Sequence, residues 1–172
     1  MLELPRSLLA AGAVVVLLAL SAFFSSSETA IFSLSVEWMA ERAAAGDRRA
    51  ALLSALREDP HRLLVTLLVG NNLVNVALSS VVTVVLVGAL PAGLAVTAAT
   101  VVVTSLVLIF GEIIPKSYGL GNGERWSLRV ARPLSLVERA LYPLVVLFDA
   151  LTRGTSQRLG GDTDIEEQYL DD

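Results

Sequence analysis

Two long stretches of the chain carry almost no charge. Residues 7–36 contain a single ionisable side chain, Glu28, and residues 63–112 contain a single one, Glu112. About 20 apolar residues are enough to cross about 30 Å of hydrocarbon as a helix, and these blocks supply three such lengths. The pattern predicts membrane spans over residues 7–35, 63–90 and 93–115. Only the uncharged turn Ala89-Leu90-Pro91-Ala92-Gly93 separates the second from the third, so those two are antiparallel neighbours. A cleaved signal peptide is the rival reading of the first block, with Leu20-Ser21-Ala22 as its cleavage region. Signal h-regions run to about 7–15 residues, and the apolar run here is longer.

Residues 36–62 mix charge with Ala43-Ala44-Ala45, Leu52, Leu53 and Leu56, a pattern that predicts one or two short amphipathic helices broken at Gly46. Pro60 marks the start of the next segment. Residues 133–151 are apolar but interrupted by Glu138, Arg139, Asp149 and Pro143. A fourth crossing would bury two of those charges, so a helix lying in the cytoplasmic interface is the better expectation. The fold class expected is an all-α membrane protein: three transmembrane helices, an interfacial juxtamembrane helix, and short amphipathic helices in the first loop. The membrane domain covers residues 1–151, and residues 152–172 form a polar acidic tail or linker.

Composition agrees with this division. Of 172 residues 54% are hydrophobic and 17% charged, below the quarter usual in soluble domains. The net charge of −4 conceals two populations: six of the 17 acidic residues fall in residues 160–172, and the other 159 residues carry a net +2. The loop of residues 36–62 holds five arginines and the 89–93 turn holds none. By the positive-inside rule the long loop and the C-terminus are cytoplasmic and the N-terminus is outside, in a plasma membrane. Cysteine is absent and His61 is the single histidine, which excludes thiolate chemistry and any site needing two imidazoles. The bases form no aromatic-interleaved stripe of the kind that binds nucleic acid.

A carboxylate in mid-bilayer costs at least about 2.5 kcal/mol, so it needs a partner or water. Ser21, Ser25 and Glu28 stand on one face of the first span, and Asn72, Asn75 and Ser79 on one face of the second, with Gly70 and Asn71 beside it. Ser105 and Glu112 share a face of the third, next to Gly111. At about 1.5 Å per residue, Asn72 lies roughly 14 Å from the cytoplasmic start of its span, while Ser25 and Glu112 lie roughly 27 Å from their outer starts. The stripes can therefore meet in the cytoplasmic half. Pro115 brings no N–H to the carbonyl four residues earlier, that of Gly111, and freed carbonyls in broken membrane helices coordinate cations. One carbonyl, carboxylates, hydroxyls and amides make an all-oxygen set, suited to Mg²⁺, Ca²⁺ or Na⁺. The blander expectation is that these groups hydrogen-bond neighbouring helices, with Glu112 and Lys116 an i,i+4 ion pair. An intramembrane hydrolase is disfavoured by the distance of His61 from Ser25.

Phe23-Phe24-Ser25-Ser26-Ser27-Glu28-Thr29-Ala30, Leu68-Val69-Gly70-Asn71-Asn72-Leu73-Val74-Asn75 and Phe110-Gly111-Glu112-Ile113-Ile114-Pro115-Lys116, in that order, resemble the transmembrane domain of the CNNM/CorC family over residues 5–150. The resemblance implies a homodimeric Mg²⁺ transporter, exporting Mg²⁺ in exchange for Na⁺, and not an enzyme. It implies an ion site drawn from Ser25, Ser27, Glu28, Gly70, Asn71, Asn72, Asn75, Gly111 and Glu112, with Pro115 as the supporting helix break. Ser25, Asn72, Gly111 and Glu112 are the expected direct ligands, and Glu28 either joins them or orders the site from behind. Family members usually continue into cytosolic CBS modules, so the chain resembles an excised membrane domain. The alternative is a membrane-embedded scaffold or regulator without transport of its own.

Overall fold

The computed structural model describes residues 6–158 and is helical nearly throughout. Helix α1 (Arg6–Phe32) is followed by α2 (Val36–Ala44) and α3 (Arg48–Arg57), then α4 (Pro60–Val87) and α5 (Ala92–Leu106). A π-helical segment, Val107–Ile113, links α5 to α6 (Ile114–Gly121), and α7 (Gly123–Arg158) ends the described chain. Three stretches are long and apolar enough to cross a membrane: Leu8–Phe32, Pro60–Val87 and Gly93–Gly121.

Local chemistry sets the boundaries. Ser35 caps α2 by accepting the Trp38 N–H at 3.2 Å. Ala45 ends that helix, and Gly46 turns the chain at φ +93°, where a side chain would be strained. Asp47 caps α3, accepting the N–H groups of Arg49 and Ala50. The Arg49 N–H first, and then the Arg42 guanidinium at 3.1 Å, hold its carboxyl below the usual carboxylate range. Asp59 accepts the Arg62 N–H, and Pro60 occupies the first turn of α4, where its missing N–H costs nothing.

Two predicted segments are longer than expected. The third span does not stop at Pro115 but continues to Gly121, because the ladder changes register before it meets the ring. The Ile114 N–H donates to the Ile109 carbonyl, a π-type step. In α register Pro115 deprives the Gly111 carbonyl of its donor; in the register that Ile114 follows, it is the Phe110 carbonyl. The interfacial helix likewise starts ten residues before Pro133, at Gly123, and carries both Pro133 and Pro143 inside it. Its apolar face explains this continuity: Val130, Ala131 and Leu134 are buried and join the main core. The acidic residues 160–172 lie outside the described part.

That core sits at the end of the bundle carrying α2 and α3, where Phe24, Ile31, Met39, Leu53, Leu63, Leu67 and Leu134 pack together. Arg57 is buried there with its guanidinium 3.4 Å from the Ile31 carbonyl and 4.6 Å over the Phe32 ring, closing the C-terminal end of α1. Burial pushes its pKa down. Away from this end, Val15, Val16, Val84, Leu94, Val96 and Val101 face outward. A surface of that kind is at home in lipid and not in water.

Candidate cation site

Helix α1 is the hub of the site, touching α4, the π-helical segment, α6 and α7. Its serine run makes close contact possible. Ser21, Ser25, Ser26 and Ser27 are all buried, and glycines face them from the other spans. A Cβ at Gly111 would stand 2.6 Å from the Ser21 hydroxyl, one at Gly70 would stand 2.5 Å from the Phe24 ring, and one at Gly119 would strike the Ser26 carbonyl. Small residues that let backbones approach are how membrane helices associate where no hydrophobic force drives them.

Three spans then converge through side-chain oxygens. The Ser21 hydroxyl donates to Asn75 Oδ1 at 2.8 Å and lies 3.2 Å from Asn71 Oδ1. Asn71 Nδ2 donates to Glu112 Oε1 at 2.7 Å. One turn toward the α2–α3 end, Lys116 Nζ stands 3.6 Å from both Glu112 and Glu28. The Ser25 hydroxyl, buried one turn below Ser21, has no hydrogen-bond partner. An unpartnered buried hydroxyl costs about 1–3 kcal/mol, so a cation beside it would recover that loss. At about 1.5 Å per residue, Ser21, Asn71 and Glu112 lie about 14–17 Å from the helix ends at Phe32, Pro60 and Gly121, at one depth.

The residues singled out in the sequence thus fall into groups. Asn71, Asn75, Gly111 and Glu112 come together, with Ser25 close by on α1, Gly70 packed on Phe24 and Glu28 joined through Lys116. Ser27 turns its hydroxyl back to the Phe23 carbonyl at 2.6 Å. Asn72 stands apart: it is exposed and donates to the Leu68 carbonyl of its own helix at 2.9 Å. With Glu28, His61, Val76, Leu144 and Phe148 it lines a cavity of about 790 Å³ beside α4. Ser105 is exposed and outside the cluster. Pro115 is buried just beyond the π-helical segment.

Two participants were not among the predicted ligands. Ser21 had a visible signal, lying one turn before Ser25 on the same stripe. Lys116 had one too, at i+4 from Glu112, but its second carboxylate partner comes from another helix. Among the described residues no cluster of three or more His, Cys, Asp or Glu is assembled. The donors are neutral oxygens around one or two carboxylates, a set whose chemistry fits a hard cation.

The profile of the cyclin M transmembrane N-terminal domain matches residues 12–172. The chain belongs to the CNNM family. A UPF0053 protein of Haemophilus influenzae is 34% identical over 91% of this CNNM chain and 37% of its own length. The UPF0053 inner membrane protein YfjD of Escherichia coli is 36% identical over 85% of the chain and 34% of its own length. A chloroplastic DUF21 domain-containing protein of Arabidopsis thaliana is 36% identical over 84% of the chain and 22% of its own length. The CNNM chain therefore spans between 22% and 37% of the length of these relatives.

Proposed function

We propose that this CNNM domain binds a hard divalent cation, Mg²⁺ in the first place, at the junction of α1, α4 and the π-helical segment, and carries it across the membrane in exchange for Na⁺. The observation that carries the reading is the convergence of Ser21, Asn71, Asn75 and Glu112 from three spans at one depth, beside the unpartnered Ser25 hydroxyl. Mg²⁺ demands oxygen ligands and gives up water reluctantly, and this group offers oxygens that replace part of its hydration shell. The cavity beside α4 brings Glu28, His61 and Asn72 to a lining that is otherwise leucine, valine and phenylalanine, so its polar edge at Glu28 is the part that favours water. No covalent step is involved.

Lys116 supplies the charge logic. Without a metal its ammonium offsets one of the two negative charges of Glu28 and Glu112, which lowers the cost of holding two carboxylates at membrane depth. A divalent ion in its place balances both carboxylates, and Lys116 withdraws; the metal-free site keeps one uncompensated negative charge that draws the cation in. The domain acts as a homodimer in a plasma membrane, with the α2–α3 end cytoplasmic; the arginines of that loop and the naming of the Escherichia coli relative as an inner membrane protein support this placement.

Purified protein in liposomes holding a Mg²⁺-sensitive dye tests the proposal: the wild-type chain moves Mg²⁺ and Glu112→Gln does not. The same hydrogen bonds support a second reading, in which they only zip the spans into a scaffold. That reading predicts that Glu112→Gln lowers thermal stability while a wild-type chain moves no Mg²⁺ at all.

A further inference from the structure

A second concavity lies at the α2–α3 end, away from the cation site. Arg42 at the end of α2, Arg49 in the first turn of α3, and Arg125 and Arg129 on successive turns of α7 line a cleft of about 330 Å³ together with Glu124 and Leu128. Arg42 pairs with Asp47 at 3.1 Å. Among the described residues no carboxylate pairs with Arg49, Arg125 or Arg129. Four guanidiniums therefore share one cleft with two carboxylates, a local charge of about +2. Nothing in the fold obliges them to gather. The consecutive helices α2 and α3 and the distant α7 each bring arginine to the same place, and like charges in one cleft repel one another unless an anion joins them.

The depth of the cleft says where that anion comes from. The chain has two tryptophans; neither lines the cleft, but Trp38 contacts one of its arginines and Trp126 is the chain neighbour of another. Trp38 lies under the Arg42 guanidinium, 5.3 Å from ring centre to carbon. Trp126 follows Arg125, packs edge-on against Tyr118 at 5.4 Å, and donates its indole N–H to Ser26 at 3.0 Å. Tryptophan and tyrosine concentrate at the membrane–water boundary, and Tyr118 belongs to the last turns of the third span. The arginines thus stand at the level of lipid headgroups. Guanidinium is planar and matches phosphate oxygens two at a time, which an ammonium does not do.

We infer that the Arg42–Arg49–Arg125–Arg129 cleft is a binding site for a phosphate group, supplied by the headgroup of an anionic phospholipid. Arg49, Arg125 and Arg129 hold the phosphate oxygens, and Leu128, the apolar residue of the lining, meets the start of the lipid's apolar part. Bound lipid clamps α2–α3 onto the start of α7. This site is independent of the cation reading and of what crosses the membrane.

The test uses the purified full chain in neutral detergent, titrated separately with short-chain phosphatidylglycerol, short-chain phosphatidylcholine and inorganic phosphate, with bound ligand counted by native mass spectrometry. Phosphatidylglycerol is expected to bind saturably, one per chain, with phosphatidylcholine at least tenfold weaker. Arg125→Gln with Arg129→Gln weakens phosphatidylglycerol binding by at least tenfold, the loss of two charge-assisted contacts. Arg132→Gln, on the same helix but outside the cleft, leaves it unchanged, and a normal thermal transition for the double variant shows that it is folded. Should the double variant fail to fold, Arg49→Gln alone, on the other wall, is expected to weaken binding measurably. Tight binding of inorganic phosphate at the same arginines would assign the site to a soluble ligand and overturn the lipid source. Equal binding of both lipids, or no loss in the arginine variants, would overturn the site.

Discussion

Asn71 and Asn72 are neighbours in sequence with opposite surroundings. Asn71 bridges Ser21 and Glu112, whereas Asn72 is exposed and bonded within its own helix. Sequence periodicity could not choose between them. Asn72–Asn75–Ser79 and Asn71–Asn75 are both helical stripes through Asn75, and the choice rests on which face of α4 packs. The buried row Leu67, Gly70, Val74 and Leu78 turns Asn71 and Asn75 toward α1 and the third span. Replacing Asn71 by Leu is therefore expected to weaken Mg²⁺ binding about tenfold, on the scale of one contact to a charged group at about 1.5 kcal/mol. Asn72→Ala changes it far less; calorimetric titration of the two variants checks the order. Lys116→Met removes the ammonium that competes with the metal for Glu28 and Glu112. Its Mg²⁺ affinity is expected to rise several-fold and its metal-free form to melt lower, both readable from thermal unfolding with and without Mg²⁺.

At the scale of elements, the three spans were legible because nothing but charge-free length is needed to see them. The caps and the break at Gly46 were legible for a similar reason, since they depend on residues within a few positions. The third span past Pro115 and the full length of α7 were not. A proline reads as a stop in one dimension, yet one shifted ladder step carries the backbone past Pro115, and core burial of Val130 and Leu134 carries it past Pro133. The first compensation is a change of ladder within the span itself, and the second comes from other helices. The tightest of these contacts is α6 on α1, where Gly119 meets the Ser26 backbone. A methyl group there cannot be accommodated by rotating a side chain. Gly119→Ala is expected to cost about 1–3 kcal/mol, as overpacking does, and to lower the thermal transition in detergent. Gly121→Ala, with open space around it, leaves the transition where it is or raises it slightly.

For the molecule as a whole, the two ends of the bundle divide the work. Packing is concentrated where α2, α3 and α7 close over α1 and α4, while the opposite end is a sleeve of exposed valine and leucine that lipid must complete. The oxygen cluster lies between them, roofed by glycine contacts and joined to the α2–α3 end by Glu28 and its cavity. The sequence located both lone carboxylates; that a lysine joins them, and that Ser21 meets two asparagines, depends on how three helices rotate against one another. On the reading proposed above, this junction holds a divalent ion. A structure of the protein with Mn²⁺ in place of Mg²⁺ tests it most directly, because manganese is located by its anomalous scattering. A single peak is expected among Ser21, Asn71, Asn75 and Glu112, about 2.1–2.2 Å from at least the Glu112 carboxylate and one asparagine oxygen, with Lys116 displaced from Glu112. A peak elsewhere in the spans, or none at saturating Mn²⁺, would contradict it.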